Sequence, residues 1–142
     1  MDIAAHLPQQ PCVCIHARRI AQKITHFYDT MLQPAGVSVA QYSLLVNIAR
    51  LEGCGTGELA EQVRLEKSTL VRTLQPLLRN GLITDVSLGT SRKRRLCLTP
   101  SGKAVVKKAF PLWTKAQKEL HKALGKNHDY LIEIFTALES LE

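Results

Sequence analysis

Two sets of side chains in this 142-residue sequence have types and spacing suited to chemistry. The first is cationic and hydroxylated: Lys67, Ser68, Thr69, Arg72 and Thr73 lie close together, and Arg92, Lys93, Arg94 and Arg95 form an unbroken run. Lys and Arg donate hydrogen bonds without accepting them, and the planar fork of Arg matches phosphate oxygens or a guanine edge. Short hydroxyls reach either kind of group. The second set is Cys12-Val13-Cys14-Ile15-His16 near the amino end. Thiolates attack peroxides, and a helix start with a cation such as Arg18 one turn on is a setting in which protein thiols react.

The charge is concentrated on the first set. Residues 64–108 hold eleven Lys or Arg against Glu66 and Asp85 alone, in a chain of net charge +7. The remainder is therefore slightly acidic, and the positive field belongs to one segment, as on a surface built to meet phosphates. A pI near 9.5 also suits anionic membranes or acidic proteins. No apolar run is long enough to span a membrane, and the first ten residues lack the order of a signal peptide, so the expected compartment is the cytoplasm. Four cysteines there are expected as thiols rather than as a disulfide framework. Length and a 45% hydrophobic content fit one domain over residues 1–142.

Helical and turn signals supply the elements that must hold these groups. Val13, Ala17, Ile20, Ile24, Phe27 and Met31 recur at steps of four and three, predicting a first helix with a narrow apolar seam, stopped by Pro34 and Gly36. Ser38 three residues before Gln41 is a capping box, so a second helix starts at Val39 and buries Leu44, Leu45 and Ile48. Thr56 is expected to cap a third helix, Gly57 to Val63. A turn, Arg64 to Lys67, then leads to a fourth, the spacing of a helix-turn-helix. Leu70, Val71, Leu74, Leu77 and Leu78 form the apolar face of that fourth helix and leave Lys67, Ser68, Thr69, Arg72, Thr73 and Gln75 on the other. Pro76 predicts a kink or an altered last turn, and Gly81 a stop. Leu82–Val86 and Arg95–Leu98 read as a hairpin whose tip precedes the basic run. Thr99-Pro100 opens a long helix, Gly125 breaks it, and Leu131, Ile134, Phe135, Leu138 and Leu141 mark a last amphipathic one. The fold class is mainly α with a small β-hairpin wing.

In order and spacing, Gln41-Tyr42-Ser43-Leu44-Leu45, Glu58-Leu59-Ala60, Ser68-Thr69-Leu70-Val71-Arg72, Asn80-Gly81-Leu82-Ile83 and Leu98-Thr99-Pro100-Ser101-Gly102 resemble the MarR family of bacterial transcriptional regulators. The resemblance covers nearly the whole chain. It implies a homodimer whose terminal helices, about 12–33 and 100–142, interlock, with a winged lobe at about 38–99 reading an inverted-repeat operator in double-stranded DNA. It places Thr69 and Arg72 at base-contacting positions and Arg92 in the minor groove; the acidic residue that usually stands two positions before this Arg is Thr90 here. The same resemblance implies a repressor released by a small ligand, in a pocket for which His16, Phe27, Tyr42 and Trp113 are available. The apolar seams at both chain ends favour a twofold copy on their own account.

The Cys12–His16 segment resembles the organic-peroxide-sensing branch of that family, with Cys14 at the sensor position and Tyr28 and Tyr42 as hydroxyl partners; Cys12, Cys54, Cys97 and a thiol of a second subunit are all available as a resolving thiol. That branch commonly has another Tyr where Val39 stands. The alternative for Cys14 is a small apolar residue packed in the dimer seam. A metal held by Cys12, Cys14 and His16 would need an extended segment, since residues two apart diverge on a helix, and no metal or cofactor is expected. No phosphate loop, nucleophile triad or paired carboxylate framework is present, so the chain does not read as an enzyme. The competing class is a weakly specific architectural DNA binder, for which a basic wing suffices.

Overall fold

The computed structural model describes residues 2–7, 9–87 and 93–142. After a short 3₁₀ turn at Ile3–His6, helix α1 spans Val13–Leu32 and begins where the apolar spacing predicts. It ends in a second 3₁₀ turn, Gln33–Ala35, closed by Gly36 at φ 76°, a conformation glycine adopts without steric cost. The buried side chains of α1 are Tyr28 and Leu32 rather than the predicted seam. Val13, Ala17 and Ile20 are exposed, and Ile24, Phe27 and Met31 are half-buried. The seam faces away from the rest of the chain along the first half of α1, so its spacing marks a surface rather than the internal core.

Helix α2 (Val39–Arg50) carries the predicted capping box: the Gln41 N–H donates to Ser38 Oγ at 3.1 Å and the Ser38 N–H to Gln41 Oε1 at 3.0 Å. Leu44, Leu45 and Ile48 are buried from it. Helix α3 is Thr56–Val63, and its N-cap is Gly55, which makes no side-chain cap bond. Thr56 is thus the first helical residue and not the cap, because Gly55 already holds the extended backbone and accepts the first ladder bond from Leu59. The turn that follows holds Arg64 in the left-handed region at φ 55°, with its guanidinium 3.1 Å from Glu139 in an exposed ion pair. Helix α4 (Lys67–Arg79) takes Lys67 out of the turn and into its first helical position. It runs through Pro76 and closes in a Schellman motif, with Gly81 N–H to Leu78 O at 3.1 Å and Leu82 N–H to Leu77 O at 3.0 Å.

Strands β1 (Ile83–Asp85) and β2 (Leu96–Leu98) pair antiparallel, with Ile83 opposite Leu98 and Asp85 opposite Leu96. The other edge of β2 is also used. The Leu96 N–H donates to Cys54 O at 2.8 Å and the Gly53 N–H to Leu96 O at 3.1 Å, so the α2–α3 connection pairs with the wing. Thr99 Oγ1 accepts from the Gly102 N–H at 3.0 Å and starts α5 (Pro100–Leu124), which continues through Pro111. Gly102 sits against the residue before β1: a Cβ added there would stand 2.0 Å from the Leu82 carbonyl oxygen. Helix α6 (Asn127–Glu139) follows Gly125 and buries no residue.

The core lies within the winged lobe and the parts of α1 and α5 that lean on it. Leu45, Ile48, Leu59, Leu70, Leu74, Leu77 and Leu96 are fully enclosed there with Leu32 and Ala109. Among the described residues, no helix is long and apolar enough to cross a membrane.

Candidate nucleic-acid interface

Burial of Leu70, Leu74 and Leu77 fixes the rotation of α4 about its axis, and with it the face left to solvent. Lys67, Ser68, Arg72 and Gln75 are exposed on that face, while Thr69 and Thr73 are half-buried. The Thr73 hydroxyl donates to the Thr69 carbonyl at 2.9 Å, which leaves its lone pairs as the groups free to meet a partner. Pro76 has no N–H to offer the Arg72 carbonyl, so one backbone acceptor of the exposed helix is without its usual partner.

The wing base is organised by Asp85, whose Oδ1 accepts from the backbone N–H of both Ser87 and Arg95 at 3.0 Å. These bonds hold its carboxyl below the ordinary value of 3.8, with the Arg95 N–H the larger cause. The basic run divides here. Lys93 and half-buried Arg94 line a cleft of about 430 Å³ whose other walls are Lys67, Val71 and the start of α3 at Gly55, Thr56, Gly57 and Glu58. Arg95 lies on the other side, over Gly53, where an added Cβ would be 3.4 Å from its Nη2. It lines a different cleft with Glu52, Cys97 and Lys103. The two neighbours, just before β2, thus border different clefts, so the run does not act as one block of charge. Arg92, expected to enter a minor groove, and Thr90 lie outside the described residues.

Of the four residues expected to line a pocket, the structure brings two together. The Tyr42 and Trp113 rings are 6.1 Å apart, and both border a cavity of about 270 Å³ between α2 and α5, with Arg50 and Phe110 also on its wall. Burial pushes the Tyr42 hydroxyl up, opposed by the nearby Arg50 charge. His16 is exposed on the first turn of α1, and Phe27 packs edge-on against Tyr28 at 5.7 Å; neither borders this cavity. The thiol group is likewise dispersed within the chain. Cys12 is the N-cap of α1 and Cys14 its second residue, both exposed. Tyr28 lies fourteen positions along the same helix from Cys14, about 21 Å at 1.5 Å per residue. Its hydroxyl donates to Gln117 Oε1 on α5, and burial raises it. Among the described residues no group of three or more His, Cys, Asp or Glu is placed to hold a metal.

A helix-turn-helix followed by a short hairpin, with cations on the free face of its second helix and on the adjoining wing, defines a winged helix DNA-binding protein. Comparison with known proteins narrows the class. Residues 37–88 match the MarR family model. The crystal structure of the M. tuberculosis transcriptional regulator MosR in complex with DNA is 32% identical, with 92% of this chain and 98% of that chain covered and a TM-score of 0.76. The HTH-type transcriptional regulator BilQ of Clostridium symbiosum is 26% identical over 121 residues, 84% of this chain and 83% of its own. The transcriptional repressor CouR bound to p-coumaroyl-CoA shares the fold at 22% identity, with a TM-score of 0.81 over 92% of this chain and 94% of that one. The chain belongs to the MarR family, whose members are DNA-binding transcription regulators and not enzymes.

Proposed function

We propose that this protein is a homodimeric repressor that binds an inverted-repeat operator in double-stranded DNA and leaves it when a small ligand binds. The observation that carries the reading is α4, with Leu70, Leu74 and Leu77 enclosed and Lys67, Ser68 and Arg72 exposed beside Lys93 and Arg94 of the wing. In this reading residues 1–142 act as one unit. Arg72, Thr69 and Thr73 meet base edges in a major groove, Lys67, Ser68 and the wing cations meet backbone oxygens, and Arg92 enters the minor groove.

A second copy of the chain is supported by the apolar residues that the fold leaves outside: Val13, Ile15 and Ile20 on α1, and Ile132, Ile134, Phe135 and Leu138 on α6, all exposed. To meet successive major grooves, the twofold partner must carry its α4 roughly 34 Å from the first, one helical turn of DNA. The ligand acts by preferring a dimer in which that spacing is lost, and its differential affinity limits the effect. The Tyr42, Phe110 and Trp113 cavity is the space available to it. Selection of bound duplexes from a random pool tests the reading. An enriched inverted repeat supports it, and the absence of any motif replaces it with a weakly specific architectural binder.

A second reading of the control step rests on the exposure of both Cys12 and Cys14. Here the effector is an organic hydroperoxide. The Cys14 thiolate attacks the O–O bond and releases an alcohol, and the resulting sulfenic acid condenses with a second thiol, of this chain or of a second copy, to a disulfide and water. Loss of operator binding after hydroperoxide, restored in Cys14→Ser, supports this route; binding indifferent to oxidant assigns Cys14 to packing.

A further inference from the structure

We propose that the cleft between the end of α2, β2 and the start of α5 is a thiol–disulfide exchange site for a small anionic disulfide of the glutathione type, with Cys97 as the reacting thiol. The cleft has a volume of about 430 Å³, and no residue of α4 lines it. Groups of four kinds converge there from separate elements. Ile48 of α2 and Leu98 of β2 supply an apolar wall, Glu52 of the α2–α3 connection a carboxylate, Arg95 and Lys103 two cations, and Cys97 the thiol. The ion pairs among the described residues join Arg64 to Glu139 and His128 to Asp129, so Arg95, Lys103 and Glu52 are not committed to another charge. Strand alternation explains why the thiol is reachable. Leu96 turns into the core beside Cys54, and Cys97 is carried to the opposite side, where it is half-buried. Cys54 is 1% exposed, and burial pushes its thiol up, so it is neither accessible nor nucleophilic.

The groups around Cys97 select the reagent. Each half of a glutathione-type disulfide carries two carboxylates and one ammonium around its sulfur. Arg95 and Lys103 match the carboxylates, and Glu52 matches the ammonium. A hydroperoxide offers no charge for these groups to hold, so the site differs in reagent from Cys12 and Cys14 on α1. In the exchange, Cys97 loses its proton to solvent and its thiolate attacks one sulfur of the reagent. The reagent S–S bond breaks, a mixed disulfide forms on Cys97, and the other half leaves as a thiolate that takes up a proton. The reagent is itself the oxidant. Because α4 contributes nothing to the cleft, the site is independent of how the protein meets DNA.

The test uses the full chain carrying Cys12→Ser and Cys14→Ser, which silences the two exposed thiols. Glutathione disulfide, an anion, is compared with cystamine, a cation. Each rate is divided by the rate of the same reagent with a neutral cysteine peptide, and the adduct is located by peptide mass mapping. A single adduct is expected, on Cys97, with glutathione disulfide favoured about tenfold and the preference shrinking as salt is raised. Lys103→Gln should remove most of that preference, while the neutral reagent iodoacetamide labels Cys97 at an unchanged rate and so shows that access and fold are intact. Equal normalised rates for the two disulfides, a preference that survives Lys103→Gln, or an adduct confined to Cys54 overturns the site. Failure of iodoacetamide to reach Cys97 overturns it as well and makes that thiol a packing residue of the wing base.

Discussion

The winged lobe and the terminal helices are built from similar residues and end in opposite states. In the lobe, Leu45, Leu59, Leu70 and Leu74 are fully enclosed by α2, α3, α4 and β2. On α6, Phe135 and Leu138 retain about half their surface, at 48% and 53%, and nothing on that helix is buried. The difference separates two uses of apolar periodicity. One stripe completes a core inside the chain and thereby orients polar residues outward, while the other remains a surface whose burial needs a further body.

This contrast is broken or sharpened most strongly inside the lobe. Gly102→Ala places a methyl group 2.0 Å from the Leu82 carbonyl, between two backbones that cannot both yield, and should cost about 3 kcal/mol or more in urea unfolding. Leu74→Ala, at a fully enclosed position, should cost about 3 kcal/mol by the same assay. On the open helix, Ile134→Glu combined with Phe135→Glu should convert the proposed dimer to a monomer by light scattering while the lobe keeps its cooperative unfolding; loss of all folded structure would place α6 in the core after all. A finer division runs across the reading face. Arg72→Ala should reduce discrimination between operator and random duplex by about 1–3 kcal/mol, whereas Arg94→Gln should weaken both duplexes alike and lower the salt slope. Equal effects of Arg72→Ala on both duplexes would remove base reading from that residue.

The smallest expected effect concerns pH. Asp85 has its folded value depressed below 3.8 by the Arg95 and Ser87 N–H groups. Its contribution is therefore fully present above 3.8 and is lost as pH falls through the folded value. Exchange protection of the Arg95 and Ser87 amides should decline in that acidic window, and Asp85→Asn should make it independent of pH there.

What could be read from the sequence was local. Ser38 with Gln41 and Thr99 with Pro100 announce helix starts within four residues, and the Leu70, Leu74, Leu77 stripe needs only the helical repeat. What could not be read was set by distant partners. The pairing of Cys54 with Leu96 joins single residues far apart in the chain, too short for any strand signal. The need for Gly102 comes from Leu82 across a helix–strand crossing. In the site, the cations were visible as charge, but the division of Arg94 from Arg95 and the glycine-capped start of α3 follow from how the wing meets α3. His16 and Phe27 were placed with Tyr42 and Trp113 by residue type, while α1 carries them elsewhere.

The pairing of β2 on both sides has a further consequence. With β1 on one edge and the Gly53–Cys54 segment on the other, β2 offers no row of unpaired amides to a passing strand. The remaining described edge belongs to β1, three residues long and carrying a charged Asp85. Short charged edges resist strand addition, so the described edges of the winged lobe are poor templates for it. In the proposed dimer, self-association is thereby left to the apolar helices at the two chain ends, where its geometry would decide the distance between the two copies of α4.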